Sequence, residues 1–460
     1  MHYDVAIIGA GMSGLAAGIR LAYFEKRVCI FERHYAFGGL NSYYRLNGRE
    51  YDVGLHAVTN YCRPGERNAP LAKLLRQLRL TREDFDLRPQ RHSEIRFPDR
   101  RLRFSNDPEQ LQTEVAEMFP AEADNFRRLV ARIQAYDDVR LEVEYAATRP
   151  LLRDSIGDPL LAEMILCPVL YYGGPEEHDI DFTHFATLFK SIFLEGFARP
   201  PEGVRRIIKV LVRKYRECGG ELRMRCGINR IDVTHGRAAA LRLDNGEEVT
   251  ADAVLSSAGF VETMNLCGLR TAPPAEAPVG KLSFVEGVAV LDHKPADLGH
   301  DATIVFFNDA DRFVYARPPG LTDFRSGVLC CPSNYEGHED VAGTVRLTWL
   351  ANHDEWSRLG EGEYATAKRR HGGHFLERVE QYIPDVQRHV VCTDLFTPVT
   401  IRRYTGHLGG AVYGCPVKRR DGRTPVQNLF LCGTDQGYLG IIGAMLSGIT
   451  MANLHVLQRE

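Results

Sequence analysis

Residues 3–32, YDVAIIGAGMSGLAAGIRLAYFEKRVCIFE, decide how the chain folds. Residues 3–8 (YDVAII) are apolar and rich in valine and isoleucine, a pattern that predicts a buried parallel strand. The glycine turn GAGMSG follows, then an apolar run at helical spacing, then a second strand that ends on Glu32. Strand, glycine turn, helix, strand and acid, in this order, are typical of a dinucleotide-binding βαβ unit.

Each glycine of the turn has its own expected task. Gly9 allows the tight turn, Gly11 lets the backbone approach a pyrophosphate, and Gly14 lets the helix pack closely on the strand. The helix N-terminus, with Met12 and Ser13, then offers free N–H groups and the positive end of its dipole to the phosphates. Glu32 lies 18 residues after Gly14, near the spacing of about 20 expected for the acid that binds the ribose hydroxyls. A glycine-rich turn that binds nothing would leave the position of Glu32 without a reason.

Composition places the chain among ordinary globular proteins. It has 460 residues, 44% hydrophobic and 25% charged, with a net charge of −3, which gives no sign of nucleic-acid binding. The 11 cysteines form no CxxC pair, so we expect reduced thiols and no metal site. Neither a signal peptide nor an apolar run of about 18 residues is visible, which predicts a cytoplasmic protein whose membrane contact would be peripheral.

The segment after Glu32 identifies the dinucleotide by resemblance. Glu32-Arg33, the pair Gly38-Gly39 with Leu40 and Asn41, and residues 51–54 (YDVG) resemble the FAD signature of the amine-oxidase and phytoene-desaturase superfamily. The resemblance implies that FAD is the cofactor and that Gly38 and Gly39 pass close to its diphosphate and ribityl chain. It also implies that Gly54, Leu55 and His56 lie near the isoalloxazine. The alternative is that Gly38-Gly39 belongs to an ordinary loop without a role in cofactor binding.

The middle of the chain is similar to the same family. A predicted helix over 204–218, a strand at 221–224 and a meander with the hairpin signal Asp244-Asn245-Gly246 lead to a strand that ends in small residues. The resemblance implies that Ile228 and Asn229 contact the adenine. It also implies that Ser257, Ala258 and Gly259 pack near the diphosphate.

The last predicted strand, loop and helix resemble the family's final motif. Residues 428–433 form a strand ending in glycine, and a loop leads into the helix 441–457, whose N–H groups can stabilise negative charge at the flavin N1 and O2. The predicted contacts are Gly433, Thr434, Asp435, Gly440, Ile441, Ile442 and Ala444. The family usually has proline where Ile442 stands, and its acid falls one place before Asp435, so either Thr434 or Asp435 meets the ribityl chain.

We expect an α/β fold with two domains. A Rossmann-like FAD-binding domain of the glutathione-reductase and amine-oxidase type takes residues 1–60, 200–270 and 396–460. A mixed α+β substrate domain with possible membrane-contacting helices takes 61–199 and 271–395. Its apolar stretch 160–172 is interrupted by Pro168, which predicts two short pieces. The phenylalanines of residues 182–197 indicate either core packing or the wall of a long apolar pocket. The arginines of residues 76–103 indicate either a solvated surface or a surface that faces lipid headgroups.

Residues 398–414 complete the resemblance, because they look like the segment before the last FAD motif in phytoene desaturases, carotenoid isomerases and retinol saturases. The resemblance implies an FAD-dependent oxidoreductase acting on a long apolar unsaturated lipid (carotenoid, isoprenoid or polyene), drawn from a membrane surface. It would desaturate, saturate or isomerise this lipid. A single dinucleotide fingerprint predicts no NAD(P)H domain and leaves the electron donor or acceptor open.

No catalytic residue stands out. Four side chains are candidates for a position near the flavin ring, with a purely structural role as the alternative for each: His56, Arg402, Tyr404 and His407. Three alternatives share the architecture. An amine oxidase would need an aromatic pair at the flavin, for which Tyr413 and Tyr438 are candidates. A protoporphyrinogen oxidase would take a flat apolar substrate. A Rab GDP-dissociation inhibitor would bind a prenylated protein without flavin, against which the intact Glu32 and the C-terminal glycine loop argue.

Overall fold

The computed structural model describes residues 1–54, 56–138, 140, 143–269, 279–310 and 312–459. The predicted site residue Leu55 lies outside the described residues. The strands are β1 (His2–Ile8), β2 (Val28–Glu32), β3 (Tyr43–Leu46), β4 (Arg49–Asp52), β5 (Arg88–Pro89), β6 (Ser93–Phe97), β7 (Arg100–Phe104), β8 (Ala198–Arg199), β9 (Glu221–Met224), β10 (Ile228–Thr234), β11 (Arg237–Leu243), β12 (Glu248–Ser256), β13 (Ser283–Leu291), β14 (Ile304–Asn308), β15 (Ser326–Cys330), β16 (Thr344–Ala351), β17 (Val390–Phe396) and β18 (Leu429–Leu431).

The α-helices are α1 (Met12–Tyr23), α2 (Pro70–Leu78), α3 (Arg82–Phe85), α4 (Pro108–Met118), α5 (Ala123–Ala135), α6 (Thr148–Ser155), α7 (Pro159–Gly173), α8 (Phe182–Phe189), α9 (Val204–Glu217), α10 (Phe260–Leu266), α11 (His353–Arg358), α12 (Glu361–Glu380), α13 (Pro398–Thr405) and α14 (Gly440–His455). A π-helical turn, Lys190–Glu195, continues α8. Among the described residues, no helix has the length and apolar character needed to cross a bilayer.

The first sheet has the strand order β10-β11-β12-β1-β2-β9, with β18 paired to β12. β1 runs parallel to β2 and β12, and its last residue, Ile8, pairs with Phe31 and Ser256. The carboxyl ends of β1, β2, β12 and β18 therefore meet at one edge, where open parallel sheets bind their ligands. The predicted Rossmann-like α/β fold is confirmed.

Helices α1 and α14 cover this sheet and touch each other by their backbones. A Cβ at Gly448 would lie 2.0 Å from the carbonyl oxygen of Ser13, so only glycine allows this approach. Both helices are buried along most of their length. The two ends of the sequence thus form one layer behind the carboxyl edge of the sheet.

The second sheet has the order β17-β13-β16-β15-β14-β6-β7. In its register Glu286 of β13 pairs directly with Thr348 of β16, which also pairs with Val328 of β15. Because side chains alternate along a strand, these three lie on one face. On the opposite face α12 packs closely, since a Cβ at Gly287 would meet the ring of Phe375 at 2.6 Å.

The prediction made from the sequence for helix α7 is wrong. It is a single helix that contains Pro168, where we expected two short pieces. An internal proline costs about 3 kcal/mol. Burial of each large apolar side chain, such as Leu161, Met164, Ile165 and Leu170, contributes about 1.5–3 kcal/mol, which outweighs that cost.

Candidate active site

A cavity of about 590 Å3 lies at the carboxyl edge of the first sheet, and we call it the glycine cleft. Its walls come from the β1–α1 turn, the end of β2, the Gly38-Gly39 loop, the start of β10, the end of β12, α13 and the loop after β18. The predicted site residues that line it are Gly9, Gly11, Met12, Ser13, Glu32, Arg33, Gly38, Gly39, Leu40, Asn41, Ile228, Ser257, Ala258, Gly433, Thr434 and Ala444.

The glycine turn is shaped by three different demands. Gly9 has a φ of +96°, a conformation that other residues rarely adopt. A Cβ at Gly14 would lie 2.1 Å from the carbonyl oxygen of Gly9, so the start of α1 packs directly on the turn. A Cβ at Gly11 would meet no atom within 4 Å. Gly11 therefore leaves open space at the N-terminus of α1, where an anionic group finds free N–H donors.

Glu32 holds the turn to the end of β2. One of its carboxylate oxygens accepts a hydrogen bond from the backbone N–H of Ala10 and the other from that of His34, each at 2.8 Å. A carboxylate has about four acceptor sites, so capacity remains for a ligand hydroxyl in the cleft. The guanidinium of Arg33 donates to the carbonyl oxygen of Ile228 at 2.8 Å.

The second glycine pair lies against the first turn. The backbone N–H of Gly38 donates to the carbonyl oxygen of Ala10 at 2.8 Å. Gly38 and Gly39 have φ values of +110° and +59°. This loop therefore passes beside Gly11 with little side-chain bulk between the two backbones.

Five predicted residues belong neither to the described lining of the cleft nor to that of a second cavity beside it: Gly14, Asn229, Gly259, Asp435 and Ile442. The amide of Asn229 donates to the carbonyl oxygen of Leu243. Asp435 is 3% exposed and accepts backbone N–H bonds from Phe260 and Cys415, at 2.6 and 2.7 Å. Of the two candidates for the ribityl contact, Thr434 lines both cavities, whereas the carboxylate of Asp435 is hydrogen-bonded to the backbone of two neighbouring segments.

A second cavity, of about 190 Å3, adjoins the cleft, and we call it the aromatic chamber. Leu40, Asn41, Thr434 and Ala444 line both cavities. The predicted residues Gly54, His56, Gly440 and Ile441 line the chamber. Its larger side chains are Tyr171, Tyr172, Phe284, Val328, Phe396, Ile401, Val412, Tyr413, Tyr438 and Leu439.

The phenylalanines of α8 and the following turn form a ladder with ring centroids 5.0–5.9 Å apart. Phe182, Phe185, Phe189 and Phe193 are buried, and none belongs to the described lining of the chamber. This supports core packing, the first of the two interpretations given above.

Helix α14 begins at the junction of the two cavities. Gly440, with a φ of +73°, opens the helix and lines the chamber, and Ala444 lies one turn further on. The first N–H groups of a helix have no partner within the helix. The junction therefore receives the positive end of a 16-residue helix.

His56, in the chamber wall, is held by hydrogen bonds at both its ring and its backbone. Its Nε2 lies 3.3 Å from Oε1 of Glu286 and 3.0 Å from Oγ1 of Thr348. Its backbone carbonyl oxygen accepts hydrogen bonds from Arg199 and from the Tyr335 hydroxyl, at 3.2 and 3.1 Å. Burial lowers the pKa of the imidazole, more than the neighbouring carboxylate raises it, so the ring is neutral near pH 7.

Glu286 is paired with Arg346 inside the protein. The guanidinium Nε and its terminal nitrogen lie 2.6 and 2.5 Å from Oε1. Burial alone would raise the pKa of this carboxyl, but Arg346 and His56 together lower it to about 2. The chamber wall thus carries an ionised carboxylate whose charge is balanced by a buried arginine.

Glu286, Arg346 and Thr348 were not among the residues predicted from the sequence. A signal was present, because each buried strand carries one charged residue within an otherwise apolar run: SFVEGVAVL in β13 and TVRLTWLA in β16. Buried charges are normally paired, so the two strands could have been matched through them. The other three side chains expected near the ring, Arg402, Tyr404 and His407, line the cleft and are not part of the described chamber wall.

A cluster of one carboxylate and two imidazoles lies elsewhere. The ligand atoms of Asp292, His293 and His389 are within 4.8 Å of one another. Both imidazole Nδ1 atoms contact the same carboxylate oxygen, at 2.8 and 2.9 Å. None of the three lines the cleft or the chamber.

Comparison with known proteins gives a family match along nearly the whole chain. Residues 12–454 match the family described as flavin containing amine oxidoreductase. The all-trans-retinol 13,14-reductase of Danio rerio is 23% identical over 99% of this chain and 86% of its own length. The prolycopene isomerase 1 of an Oncidium hybrid cultivar is 24% identical over 98% and 83%. The lycopene-forming phytoene desaturase of Pseudescherichia vulneris is 22% identical over 98% of both.

Solved structures share the fold at low identity. An oxidoreductase from Methanosarcina mazei superposes with a TM-score of 0.68 at 15% identity, over 98% of this chain and 99% of its own. Putrescine oxidase with putrescine bound gives a TM-score of 0.63 at 16% identity, over 98% of both chains. These likenesses concern the fold alone.

Proposed function

Because the chain belongs to the flavin-containing amine oxidoreductases, we propose that this FAD-dependent oxidoreductase acts on a long, apolar, unsaturated lipid of the carotenoid, isoprenoid or polyene type. It desaturates, saturates or isomerises that lipid. The relatives named for a retinol reductase, a prolycopene isomerase and a phytoene desaturase support this substrate class.

The observation that carries the proposal is the aromatic chamber beside the glycine cleft. Its described lining is dominated by rings and branched aliphatic side chains, and its carboxylate, Glu286, is neutralised by Arg346. Burying apolar surface contributes about 25 cal/mol per Å2. A hydrocarbon chain therefore gains binding free energy along this wall, whereas a charged substrate would lose its hydration without a free counter-ion.

The residues present fit an FAD molecule in the glycine cleft. A Cβ at Gly11 would project into this space, which suits a backbone that must approach a diphosphate. We infer that Gly11 to Ser13 and the Gly38-Gly39 loop hold the diphosphate, that Glu32 accepts from the ribose hydroxyls, and that Ile228 lies against the adenine. Thr434 is the proposed ribityl contact, and Gly54, His56 and Gly440 to Ala444 border the flavin ring.

When bound, FAD supplies two-electron hydride chemistry at its ring. The chain contributes the surroundings of that chemistry. The N-terminus of α14 favours negative charge at the cavity junction. The apolar chamber wall excludes water and aligns an alkyl or polyene chain with the junction, so that reacting carbons stay in place.

We also propose the division into an FAD-binding domain (1–60, 200–270 and 396–460) and a substrate domain (61–199 and 271–395). Peripheral contact with a membrane surface would deliver the lipid. Oxygen, a quinone or another protein would exchange electrons with the flavin. Saturable flavin reduction by NADPH in stopped-flow mixing would contradict this last part.

The deciding experiment is mass analysis of apolar lipids extracted from cells with and without the protein. A mass change of two hydrogens in one lipid marks a desaturase or saturase, and equal mass with altered retention marks an isomerase. Unchanged apolar lipids, together with oxidation of a primary amine by the purified protein, would overturn the proposal.

Amine oxidation is the second candidate, because Tyr413 and Tyr438 both line the chamber. The Tyr413 hydroxyl, however, donates to the backbone carbonyl of Tyr171, and the carboxylate Glu286 is already paired with Arg346. An amine substrate would need its own counter-charge in the chamber. A turnover assay with putrescine measures this alternative directly.

A further inference from the structure

We propose that His56 is the catalytic acid–base residue of the aromatic chamber, exchanging a proton with a substrate carbon through Nδ1 while Glu286 orients its ring. This inference rests on the proposed function of the chamber as the site of a desaturation or saturation. Hydride chemistry alone does not complete such a reaction, because the neighbouring carbon must lose or gain a proton.

The hydrogen bonds of His56 fix which nitrogen carries the proton. Nε2 faces Oε1 of Glu286, an ionised acceptor that has no proton to give, so Nε2 is the protonated nitrogen. Thr348 Oγ1 lies 3.0 Å from the same atom and shares this N–H. Nδ1 has no hydrogen-bond partner among the described residues and so keeps a free lone pair. A neutral imidazole with this tautomer is a base at Nδ1.

The backbone of His56 is held as firmly as its ring. Arg199 and Tyr335 both donate to its carbonyl oxygen, and Arg199 is itself paired with Asp52 at 2.5 Å. His56 thus has partners in β8, β13 and β16 and in the segment after β15. Positioning from several elements is what a proton-transfer residue requires, since small displacements cost much of the rate.

Glu286 is unsuited to be the base itself. Two guanidinium nitrogens of Arg346 contact its Oε1, and its pKa of about 2 makes it a poor proton acceptor. Beside His56 it acts as the carboxylate does in a His–Asp pair, stabilising the imidazolium that forms on proton uptake. The titratable and charged groups around His56 are Glu286, Arg346, Arg199, Cys330, Tyr335 and Tyr172.

Tyr172 is the competing proton donor. Its hydroxyl is buried, has no hydrogen-bond partner among the described residues and belongs to the chamber wall. Burial raises its pKa far above the usual value, so that it neither ionises nor accepts a proton near pH 7. Tyr172→Phe therefore removes the competing hydroxyl and leaves the His56–Glu286 contact in place.

The proposed step balances as follows. In desaturation, FAD held in the glycine cleft would accept a hydride, with its two electrons, from one substrate carbon, while the neighbouring carbon loses a proton to Nδ1 of His56. The electron pair of the second C–H bond becomes the new C=C bond. In saturation, Nδ1 of the neutral ring first takes a proton from solvent and then delivers it to one carbon, where the C=C bond supplies the pair for the new C–H bond, while reduced FAD would supply the hydride to the other carbon.

The first test compares turnover of the apolar lipid by wild type, His56→Gln and Tyr172→Phe, each loaded with FAD. We expect kcat to fall about 100-fold or more in His56→Gln, in line with the loss of general acid–base catalysis. FAD content should be unchanged, and Tyr172→Phe should lower kcat much less than His56→Gln does. In D2O, saturation by wild type should place one solvent deuterium in the product. Wild-type kcat in His56→Gln, or an equal loss in Tyr172→Phe, overturns the proposal.

The second test does not depend on turnover. In 15N-histidine NMR of the wild-type holoprotein, assigned with His56→Gln, we expect a neutral ring protonated at Nε2. Its pKa should fall in Glu286→Gln, because the carboxylate that favours the imidazolium is gone. A ring protonated at Nδ1 overturns the assignment of His56. Failure of wild type to convert any apolar lipid, with the Nε2 tautomer observed, overturns the proposed substrate class instead.

Discussion

The glycine cleft and the aromatic chamber share four wall residues, yet they are built in opposite ways. The cleft is shaped by glycine turns at one side, and the described φ values of Gly9, Gly38 and Gly39 are all positive. The chamber is made of large side chains that project from α7, β13, β15, β16 and the loop before α14. The glycines of the cleft leave space for a ligand, whereas the chamber is shaped by aromatic rings and one ion pair.

This contrast predicts that substitutions in the two cavities have different effects. A substitution in the cleft should act by filling space or by removing one acceptor, and it should change flavin affinity while the fold persists. A substitution of the chamber's ion pair should act on the fold itself, because a charge left alone in the interior is costly. The four predictions below are ordered by the size of the expected effect.

The largest effect is expected from Arg346→Met. It leaves Glu286 buried without its cation, and the free energy of unfolding should fall by about 3–5 kcal/mol. Equilibrium urea unfolding measures the change. The double variant Glu286→Gln with Arg346→Met removes both charges and should recover at least half of the loss. Equal instability of the single and double variants would show that the pair does not act as a unit.

Gly11→Val should empty the cleft without unfolding the protein. Gly11 has a φ of −78° that valine tolerates, and its Cβ would enter open space where the diphosphate is proposed. We expect FAD to bind about 100-fold more weakly, equivalent to about 2.7 kcal/mol. The flavin absorbance of the protein after gel filtration measures how much FAD stays bound. Denatured wild-type protein should release free FAD.

The matched control for Gly11→Val is Gly14→Ala. Its Cβ would lie 2.1 Å from a backbone oxygen, so it should lower the unfolding temperature of the FAD-free protein, whereas Gly11→Val should not. A Gly11→Val protein that keeps its full flavin content would contradict the proposed diphosphate position.

Glu32→Ala should weaken FAD binding by about 1.5–3 kcal/mol, because the ribose hydroxyls lose a charged acceptor. Titration of the FAD-free protein with FAD gives the dissociation constant. Asp244→Ala is the control, since it removes only the outer partner of Arg33, 3.2 Å away, and should leave affinity nearly unchanged. Similar losses in both variants would assign the effect to the Arg33 loop.

The effect that is smallest near neutral pH is the acid dependence of the ion pair, because the carboxyl is fully ionised there. The pKa of Glu286 lies at about 2 in the folded protein, below its ordinary value of 4.5. A depressed pKa stabilises the fold fully above the unfolded value, and that stability is lost as pH falls toward 2. Below about pH 4.5 we expect a loss approaching about 1.4 kcal/mol per pH unit from this group. The double variant should lack this component, and identical acid profiles would refute it.

The same contrast explains what the sequence could predict. The β1–α1–β2 part of the cleft depends on residues close together in the chain, such as Gly9, Gly14 and Glu32, whose spacing carries the geometry of a strand, turn and helix. The chamber depends on pairs such as Glu286 and Arg346, which meet only through the register of β13 with β16. No local pattern specifies that register, so His56 was placed near the ring without its partners.

Two local expectations failed or stayed open for physical reasons. Pro168 was expected to divide a helix, but burial on nearly all sides of α7 outweighs one missing backbone bond. The sequence left Thr434 and Asp435 as equal candidates, because an acid in a loop can serve a ligand or the loop itself. In the fold, Asp435 is committed to two backbone N–H groups, a choice that only tertiary contacts decide.

The backbone contact between Ser13 and Gly448 has a consequence for biosynthesis. More than 400 residues separate α1 from α14, and at 5–20 residues per second a ribosome needs on the order of 20–80 s to add them. Strand β12 is added about halfway through that interval, and until its end the nascent β1–α1 unit lacks the covering helix. Its apolar surfaces are available to chaperones or to aggregation. The glycine cleft, which draws residues from the β1–α1 turn and from the start of α14, is complete only after α14 has been synthesised.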